Sequence, residues 1–327
     1  MKRFCFLSLL LLAVGASGST PADEPQVNGR TLSDWLLDVE NPDSDVRLAA
    51  VEVIEMLGVK AKDAVPTLIR ILEKNDSHSR REAIYLLGTI GPEAKAGVPA
   101  LSKALSNEDF HTQYWSCRTL AKFGPAAKGA VPELIRLLKE GVPSPRRNAA
   151  LALGHIGPDI GPAGIAALAE ALRDKLHPVR ADAATALGMV GPLAKAAVPA
   201  LQEALKRPGF GARTQAALSV WQITADVEHT LPILLEELQE PSMPWEAAEA
   251  IGKIGPAAKA AVEPLIKMLD ADDPECRMYA SQALGDIGPA SKSAIVGLQK
   301  LLEDEDEDVR ESAAAALKKI SPDSAKP

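Results

Sequence analysis

The chain has few aromatic residues and few cysteines, and each shortage narrows what the protein can be. Only 4% of its 327 residues are aromatic, although 46% are hydrophobic. A conventional globular core uses more large rings than this, whereas alanine-rich helices can pack closely without them. The three cysteines have no spacing that suggests zinc. The composition therefore favours an array of small-residue helices over one conventional core.

Motifs that carry chemistry are also missing. The sequence contains no P-loop, G-x-G-x-x-G, H-E-x-x-H or C-x-x-C, and no G-x-S-x-G outside the N-terminal signal. The acidic run EDEDED at 303–308 lacks the glycine turn and spaced ligands of a calcium loop. We expect this run to be a solvated loop whose carboxylates suit the start of the last helix. We therefore predict no catalytic site, no cofactor and no metal, and we do not expect an enzyme.

The overall charge is acidic, with 36 basic and 44 acidic residues and a formal net charge of −8. Such a balance disfavours a protein that coats nucleic acid or an anionic membrane surface. We therefore expect neither nucleic acid nor direct membrane binding.

The N-terminus predicts an export signal over residues 1–18. Lys2 and Arg3 precede an apolar stretch from Phe4 to Val14, and small residues follow it. That stretch is too short to span a bilayer, which takes about 20 residues. We expect a periplasmic, envelope or extracellular protein, with a retained N-terminal anchor as the alternative. The remaining chain divides into a linker at 19–30, repeats at 31–320 and a tail at 321–327.

One phrase recurs along the chain, as IGPEAKAGVPAL at 90–101, VGPLAKAAVPAL at 190–201 and IGPAAKAAVEPL at 254–265. Aligning on its glycine gives nine units, most of them 33 residues long. The marker positions are 58, 91, 124, 157, 191, 224, 255, 288 and 321, with Thr at 224 and Ser at 321. Such a period is typical of a stacked array of repeats.

Each unit is predicted to form two helices. The first helix carries Leu and Ile at helical spacing with proline near its start, where the missing N–H costs little. The second helix places small or aliphatic residues eight, seven, four and one positions before the marker glycine, which gives one buried stripe. Gly-Pro then ends it, and we expect the glycine to adopt the left-handed C′ conformation.

This pattern resembles the short HEAT-like repeats of the phycobilin-lyase type. The resemblance is carried by the proline of the first helix, the A-L-G-x-I-G-P ending and an arginine eleven residues before the marker. That arginine is present as Arg47, Arg80, Arg146, Arg180, Arg213, Arg277 and Arg310. The resemblance implies an all-α, right-handed α-α superhelix of about nine helix pairs, in which this arginine reaches polar groups between helices.

Six of the seven Trp and Tyr residues fall on the second helices, beside the buried stripe. They occur ten, nine, six or three positions before the marker, and residues at ten, nine, six and two form a second helical stripe. In HEAT-like solenoids the second helices line the concave face, so the resemblance places this stripe in the groove. Trp, Tyr and Arg together are the composition of interface hot spots. The candidate partner-binding residues are Arg81, Tyr85, Tyr114, Trp115, Arg118, Arg147, Trp245 and Tyr279.

The sequence thus predicts a non-enzymatic scaffold that binds a protein or extended peptide along its concave face. The N-terminal half should favour acidic, ring-containing segments, and the Glu246 and Glu249 region a basic one. Packing of the rings between neighbouring second helices is the competing interpretation of the stripe. A self-associating structural envelope protein is the alternative function, and a lyase-type chromophore-handling protein is a further one.

Overall fold

The computed structural model describes residues 24–74, 77–206, 212–240 and 242–321. The predicted export signal, the first part of the predicted linker and the tail from residue 322 lie outside these residues. Within them the chain forms nine pairs of α-helices. The first helices of the pairs are α1 (Leu32–Asp38), α3 (Val65–Leu72), α5 (Val98–Ala104), α7 (Val131–Glu140), α9 (Gly161–Ala171), α11 (Val198–Leu205), α13 (Val227–Glu237), α15 (Val262–Met268) and α17 (Ile295–Lys300). The second helices are α2 (Ser44–Leu57), α4 (Ser77–Ile90), α6 (Phe110–Phe123), α8 (Pro143–Ile156), α10 (His177–Val190), α12 (Arg213–Thr224), α14 (Pro244–Ile254), α16 (Pro274–Ile287) and α18 (Glu307–Ile320).

The helices group into two compact units, Met1–Leu137 and Leu138–Pro327. In the first unit α2 packs against α4, and α4 packs against α6. In the second unit α8, α10, α12, α14, α16 and α18 pack against one another in chain order. In each unit, therefore, every second helix packs against the second helix of the next repeat, as the buried stripe predicts.

A short hairpin precedes the first helix. Strands β1 (Gln26–Val27) and β2 (Arg30–Thr31) pair antiparallel, and the Trp35 indole donates to the Val27 carbonyl at 3.2 Å. The end of the region predicted as a linker thus has secondary structure and is held against α1. Trp35 is buried, so its role is to anchor this hairpin.

The marker glycine ends the second helix in a conformation other than the one predicted. Gly288, for example, has φ 76° and ψ −140°, and Gly124 has φ 55° and ψ −133°. The positive φ requires glycine as expected, but ψ lies far from the left-handed helical region. The expected left-handed C′ conformation is therefore wrong here, because the chain turns at once into the Gly-Pro segment. It occurs instead at Ala225, with φ 59° and ψ 19°, after Thr224, which takes the place of the marker glycine.

The Gly-Pro segment itself is helical, but it is a 3₁₀-helix. Such segments run over Gly91–Gly97, Gly124–Ala130, Gly157–Ile160, Gly191–Ala197, Gly255–Ala261 and Gly288–Ala294. The segment Gly58–Ala64, which begins with Gly-Val, is also a 3₁₀-helix, and a further turn lies at Leu301–Glu303. Within several of them one residue leaves helical geometry, as Ala94 does at ψ 17°. The proline in the first two positions of the next α-helix then restarts regular geometry, since its missing N–H needs no partner there.

Consecutive second helices approach closely at small residues. A Cβ built on Gly154 of α8 would lie 2.8 Å from the Ala186 Cα of α10, and one on Gly285 of α16 would lie 2.8 Å from the Ala316 Cα of α18. Real Cβ atoms do not approach a backbone atom that closely, so these positions require glycine for packing. The low aromatic content follows from this geometry, because no large ring fits between such helices.

The arginine eleven residues before the marker has the structural role that the resemblance implies. Arg180 and Arg310 each donate to two carbonyls of the loop before their helix, at 2.8–3.1 Å. In the third repeat, where arginine is absent, Gln113 donates to the Asn107 carbonyl at 2.8 Å in its place. These bonds satisfy loop carbonyls that would otherwise lie unpaired beside the core.

Several of these arginines also bind carboxylates of the next repeat, which the sequence analysis missed. Arg277 pairs with Asp304 through two bonds of 2.8 and 2.9 Å, and Arg146 pairs with Asp174. Asp304 belongs to the EDEDED run and its side chain is only 9% exposed. The expectation of a fully solvated acidic loop is therefore wrong for this residue, whereas Asp306 caps α18 as the position of the run suggests.

The segment His177–Leu205 is long and apolar enough to span a membrane by length and composition. It comprises α10, the Gly191–Ala197 3₁₀-helix and α11. Helix α10 packs against both α8 and α12. Its apolar residues are thus accounted for by packing within the repeats.

We predict that Gly154→Ala will destabilise the second unit by about 1–3 kcal/mol, the usual cost of overpacking. The better helix propensity of alanine, about 1 kcal/mol, should not offset the clash with the Ala186 backbone. Urea unfolding followed by far-ultraviolet circular dichroism measures the change. Gly129→Ala is the matched control, because its Cβ would meet only the Val98 side chain at 3.6 Å. Equal stability of Gly154→Ala and the parent would contradict the proposed close approach.

We also predict that the Arg277–Asp304 pair makes stability depend on acid pH. The hydrogen bonds from Arg277 hold the pKa of Asp304 below its usual value, so its contribution is present above the unfolded pKa of about 3.9 and disappears as pH falls through the folded pKa. At neutral pH Asp304→Asn should cost about 3 kcal/mol, because it leaves a buried guanidinium without its counter-charge.

The measurement is urea unfolding of parent and variant at neutral pH and at about pH 3. The difference in free energy of unfolding between the two proteins should be largest at neutral pH and should become smaller in acid. Glu305→Gln, an exposed neighbour in the same run, should show neither effect. A gap that stays constant with pH would rule out the charge pair as its cause.

Candidate protein-binding surface

In the first unit, four predicted residues meet on the partly exposed face of α4 and α6. We call Tyr85, Tyr114, Trp115 and Arg118 the ring cluster. The Trp115 ring lies between the two tyrosines, edge-on to Tyr85 at 6.2 Å and to Tyr114 at 5.3 Å between centroids. All three rings are half-buried. They therefore pack on one another across two helices and still present surface to solvent.

Two cations lie over these rings. The Arg118 guanidinium stands 5.5 Å from the Tyr114 centroid and 5.4 Å from the Trp115 centroid, and it donates to the Tyr114 hydroxyl at 2.7 Å. The Lys122 ammonium lies 5.9 Å from the Tyr85 centroid. Each contact contributes about 0.5–1 kcal/mol at an exposed site. Both charges therefore lie against the rings and are exposed to solvent.

Tyr85 ties the cluster to α2. Its hydroxyl donates a hydrogen bond to the Glu55 carboxylate. This bond, with a smaller effect of burial, raises the pKa of Tyr85 above its usual value. The surface is thus connected from α2 through α4 to α6.

Arg81, also predicted for this surface, lies on α4 and has a local role. Its Nε donates to the Ser77 carbonyl at 3.2 Å. The neighbouring Glu82 lies 3.6 Å from Arg47 Nε, so an arginine of α2 offsets its charge. The structure does not show a contact between Arg81 and the rings.

In the second unit, Trp245 and Tyr279 form a stacked pair. Their ring centroids are 5.5 Å apart and their planes are inclined by 24°, which joins α14 to α16. Glu246 beside the pair accepts from Gln215 at 2.8 Å, and Glu249 binds Lys253 at 2.8 Å. The predicted rings therefore meet here too, but both nearby carboxylates already have partners.

Arg147 in the second unit lies in an ion pair. Its Nε is 2.7 Å from the Asp182 carboxylate of α10. Burial of Asp182 raises its pKa, and the bond from Arg147 opposes that shift. Arg147 thus links α8 to α10 and is the predicted residue most clearly engaged by its own protein.

Comparison with known proteins identifies the repeats. The family model described as HEAT repeats matches residues 31–98, 131–221 and 227–318. The chain belongs to the HEAT repeat family. The predicted all-α repeat fold is confirmed by this match together with the nine helix pairs of the described residues. No curated protein matches the sequence.

Solved structures give fold likeness alone. A homology model of the full-length AP-3 complex in an intermediate open conformation is 17% identical with a TM-score of 0.61, covering 86% of this chain and 56% of that one. An engineered protein is 24% identical with a TM-score of 0.47 and 88% coverage of both chains. The complex of CpcE and CpcF of phycocyanin lyase from Nostoc sp. PCC7120 is 22% identical with a TM-score of 0.44, covering 88% of this chain and all of that one.

Two exposed apolar residues, which the sequence analysis overlooked, lie at stripe positions relative to the marker glycine. Leu48 and Met56 of α2 are 56% and 48% exposed. They stand ten and two positions before Gly58, the places that Tyr114 and Lys122 take before Gly124. Reading the stripe for all large apolar residues, and not for rings alone, would have found them.

A groove also lies between first helices of this HEAT protein. In the second unit a groove of about 440 Å³ runs between α9 and the segment leading into α11, with Ile165, Ala169 and Ala200 among its lining. It is mostly apolar and shallow. Its charged lining residues are Glu170 and Arg173 of α9.

We predict that one of the three tyrosines titrates late because of Glu55. Absorbance at about 295 nm, followed against pH, should show a component that ionises above the usual tyrosine range of about 10. Glu55→Gln should move this component down, because the negative charge that opposes phenol ionisation is gone. Tyr85→Phe should abolish it, whereas Tyr114→Phe should leave it in place. A late component that survives Tyr85→Phe would contradict the assignment.

Proposed function

We propose that this HEAT-repeat protein is a non-enzymatic module that binds a protein or an extended peptide along its second helices, and that it acts outside the cytoplasm. The observation that carries the proposal is the ring cluster. Three half-buried rings and two exposed cations lie together on two adjacent helices, where a monomer gains little from leaving them in solvent. HEAT repeats commonly serve as interaction scaffolds, which supports the same assignment.

The chemistry of the surface supports binding more than catalysis. Within the described residues the rings, arginines and carboxylates are joined in static pairs, such as Arg147–Asp182 and Trp245–Tyr279. A catalytic centre needs a nucleophile, acid or base aimed at a common point. The rings and guanidinium instead match the residue types that dominate binding energy at interfaces, each worth about 2 kcal/mol when central.

The proposal is tested with a protein in which Trp115 and Trp245 are both changed to alanine. Partners are captured from envelope extract of the source organism with tagged parent and variant, and each captured protein is then purified and its affinity measured directly. We expect at least a tenfold loss of affinity in the variant, because about 1.4 kcal/mol corresponds to tenfold. Phe110→Ala is the matched control, since Phe110 is an exposed ring at the start of α6 outside the ring cluster.

Two results would contradict the proposal. If parent and double variant bind every partner equally, the rings serve packing and the interface lies elsewhere. If light scattering shows concentration-dependent assembly of the purified parent that the double variant lacks, the surface serves self-association. Circular dichroism and thermal unfolding of all three proteins ensure that folding is not the variable.

A further inference from the structure

The exposed face that the second helices α2, α4 and α6 form in the first unit has two chemically different ends. Helix α2 contributes the exposed apolar side chains Leu48 and Met56. Helix α6 contributes the rings with Arg118 and Lys122. Tyr85 of α4 lies between them, bonded to Glu55 on one side and in contact with Trp115 on the other. The surface therefore runs from aliphatic at α2 to aromatic and cationic at α6.

The charges at the α6 end remain available to a partner. Among the described residues, Arg118 and Lys122 contact rings and the Tyr114 hydroxyl, and their side chains lie exposed. Two carboxylates near these cations have partners, Glu55 with Tyr85 and Glu82 with Arg47. Arg118 has five N–H donors, and a bond to one hydroxyl leaves several for an incoming carboxylate.

The α2 end disfavours an acidic group. Glu52, six positions before Gly58, is exposed on the same face and would repel a carboxylate placed there. Leu48 and Met56 offer apolar contact instead. The surface thus distinguishes one direction of a bound segment from the other.

The spacing of the helices sets the length of the segment. Because α2 packs against α4 and α4 against α6, the α2 and α6 axes are about 20 Å apart at a usual spacing of 8–10 Å per contact. An extended chain rises about 3.3 Å per residue. Roughly six residues therefore reach from the cations to the aliphatic end.

We propose that the first unit binds an extended peptide segment that places an Asp or Glu against Arg118 and Lys122 and an aliphatic side chain on Leu48 and Met56, about six residues apart. This rests on the proposed function, because it specifies what the same surface recognises. Main-chain groups of the segment would lie over the rings, which supply a rigid apolar platform. The two cations supply specificity for the acidic residue.

The first test uses a displayed library of random linear peptides of about twelve residues, selected on the full chain produced with its own N-terminus. Peptides that bind the parent but not Trp115→Ala are sequenced. We expect them to share an acidic residue and a Leu, Ile or Met about six positions apart, in one order only. Leu48→Ser should weaken the binding of such peptides. It should leave the helical content of the protein unchanged, since Leu48 is exposed.

The second test exchanges charges between protein and peptide. One selected peptide is synthesised in its original form and with the acidic residue changed to lysine, and both are titrated by fluorescence anisotropy. Arg118→Glu should bind the original peptide at least tenfold more weakly and should bind the lysine form better than the parent does. Lys128→Glu makes the same charge change at an exposed position outside this surface, and it should leave the affinity for both peptides close to that of the parent.

The outcomes separate this inference from the function beneath it. The inference is overturned if the selected peptides depend on Trp115 but lack the acidic residue. It is also overturned if Arg118→Glu binds them with the same affinity as the parent protein does. Either result leaves the proposed binding surface in place. A selection that gives no Trp115-dependent peptide contradicts the inference and, for this surface, the proposed binding function as well. Peptides that carry the acidic and aliphatic residues at the expected spacing, and whose preference is reversed by the charge exchange, support the inference and the proposed function.

Discussion

The close approach of consecutive second helices is the constraint on which the rest of the structure depends. Gly154 against Ala186 and Gly285 against Ala316 bring two backbones within the distance at which even a methyl group does not fit. Dispersion energy across such contacts is gained by backbone atoms and small side chains. Large rings cannot enter these contacts, and the Trp and Tyr residues of the second helices lie half-buried beside them instead. The small number of Trp and Tyr residues on these helices and their half-buried position thus have one cause.

A second requirement follows from stacking short helices. Each pair exposes loop carbonyls beside the next pair, and short helices leave many carbonyls without internal partners. The recurring arginine meets this need by donating to those carbonyls, and in pairs such as Arg277–Asp304 it also binds the following repeat. One residue type therefore stabilises a loop and joins two repeats. Because both roles occupy the guanidinium, these arginines are withdrawn from any binding function, unlike Arg118.

The sequence predicted the helix pairs and the place where the second helices end, because helical spacing and the Gly-Pro marker are local signals. The role of the arginine came from the resemblance to HEAT-like repeats. The sequence failed where geometry depends on neighbours. The ψ of the marker glycine is set by the 3₁₀ segment that follows, and the burial of Asp304 by an arginine 27 residues away. The ring cluster was predicted as a stripe, but the sequence could not show that Arg118 lies over two rings or that Arg147 is paired with Asp182. Leu48 and Met56 were missed because only rings and charges were sought on that stripe.

The close contacts of the core and the variable side chains of the second stripe lie on different faces of the same helices, and this separation explains the uneven chemistry of that stripe. Residues at ten, nine, six or two positions before the marker lie outside the close contacts of small residues, although some pair with the neighbouring repeat, as Arg147 does with Asp182 and Trp245 with Tyr279. Each repeat can therefore present a different side chain, such as Leu48, Tyr114 or Trp245 at the same register. A repeated core of small residues yields a non-repeating surface, and an extended segment that crosses several repeats meets a different chemistry at each one. Recognition by such a surface depends on the order and spacing of the residues in its partner.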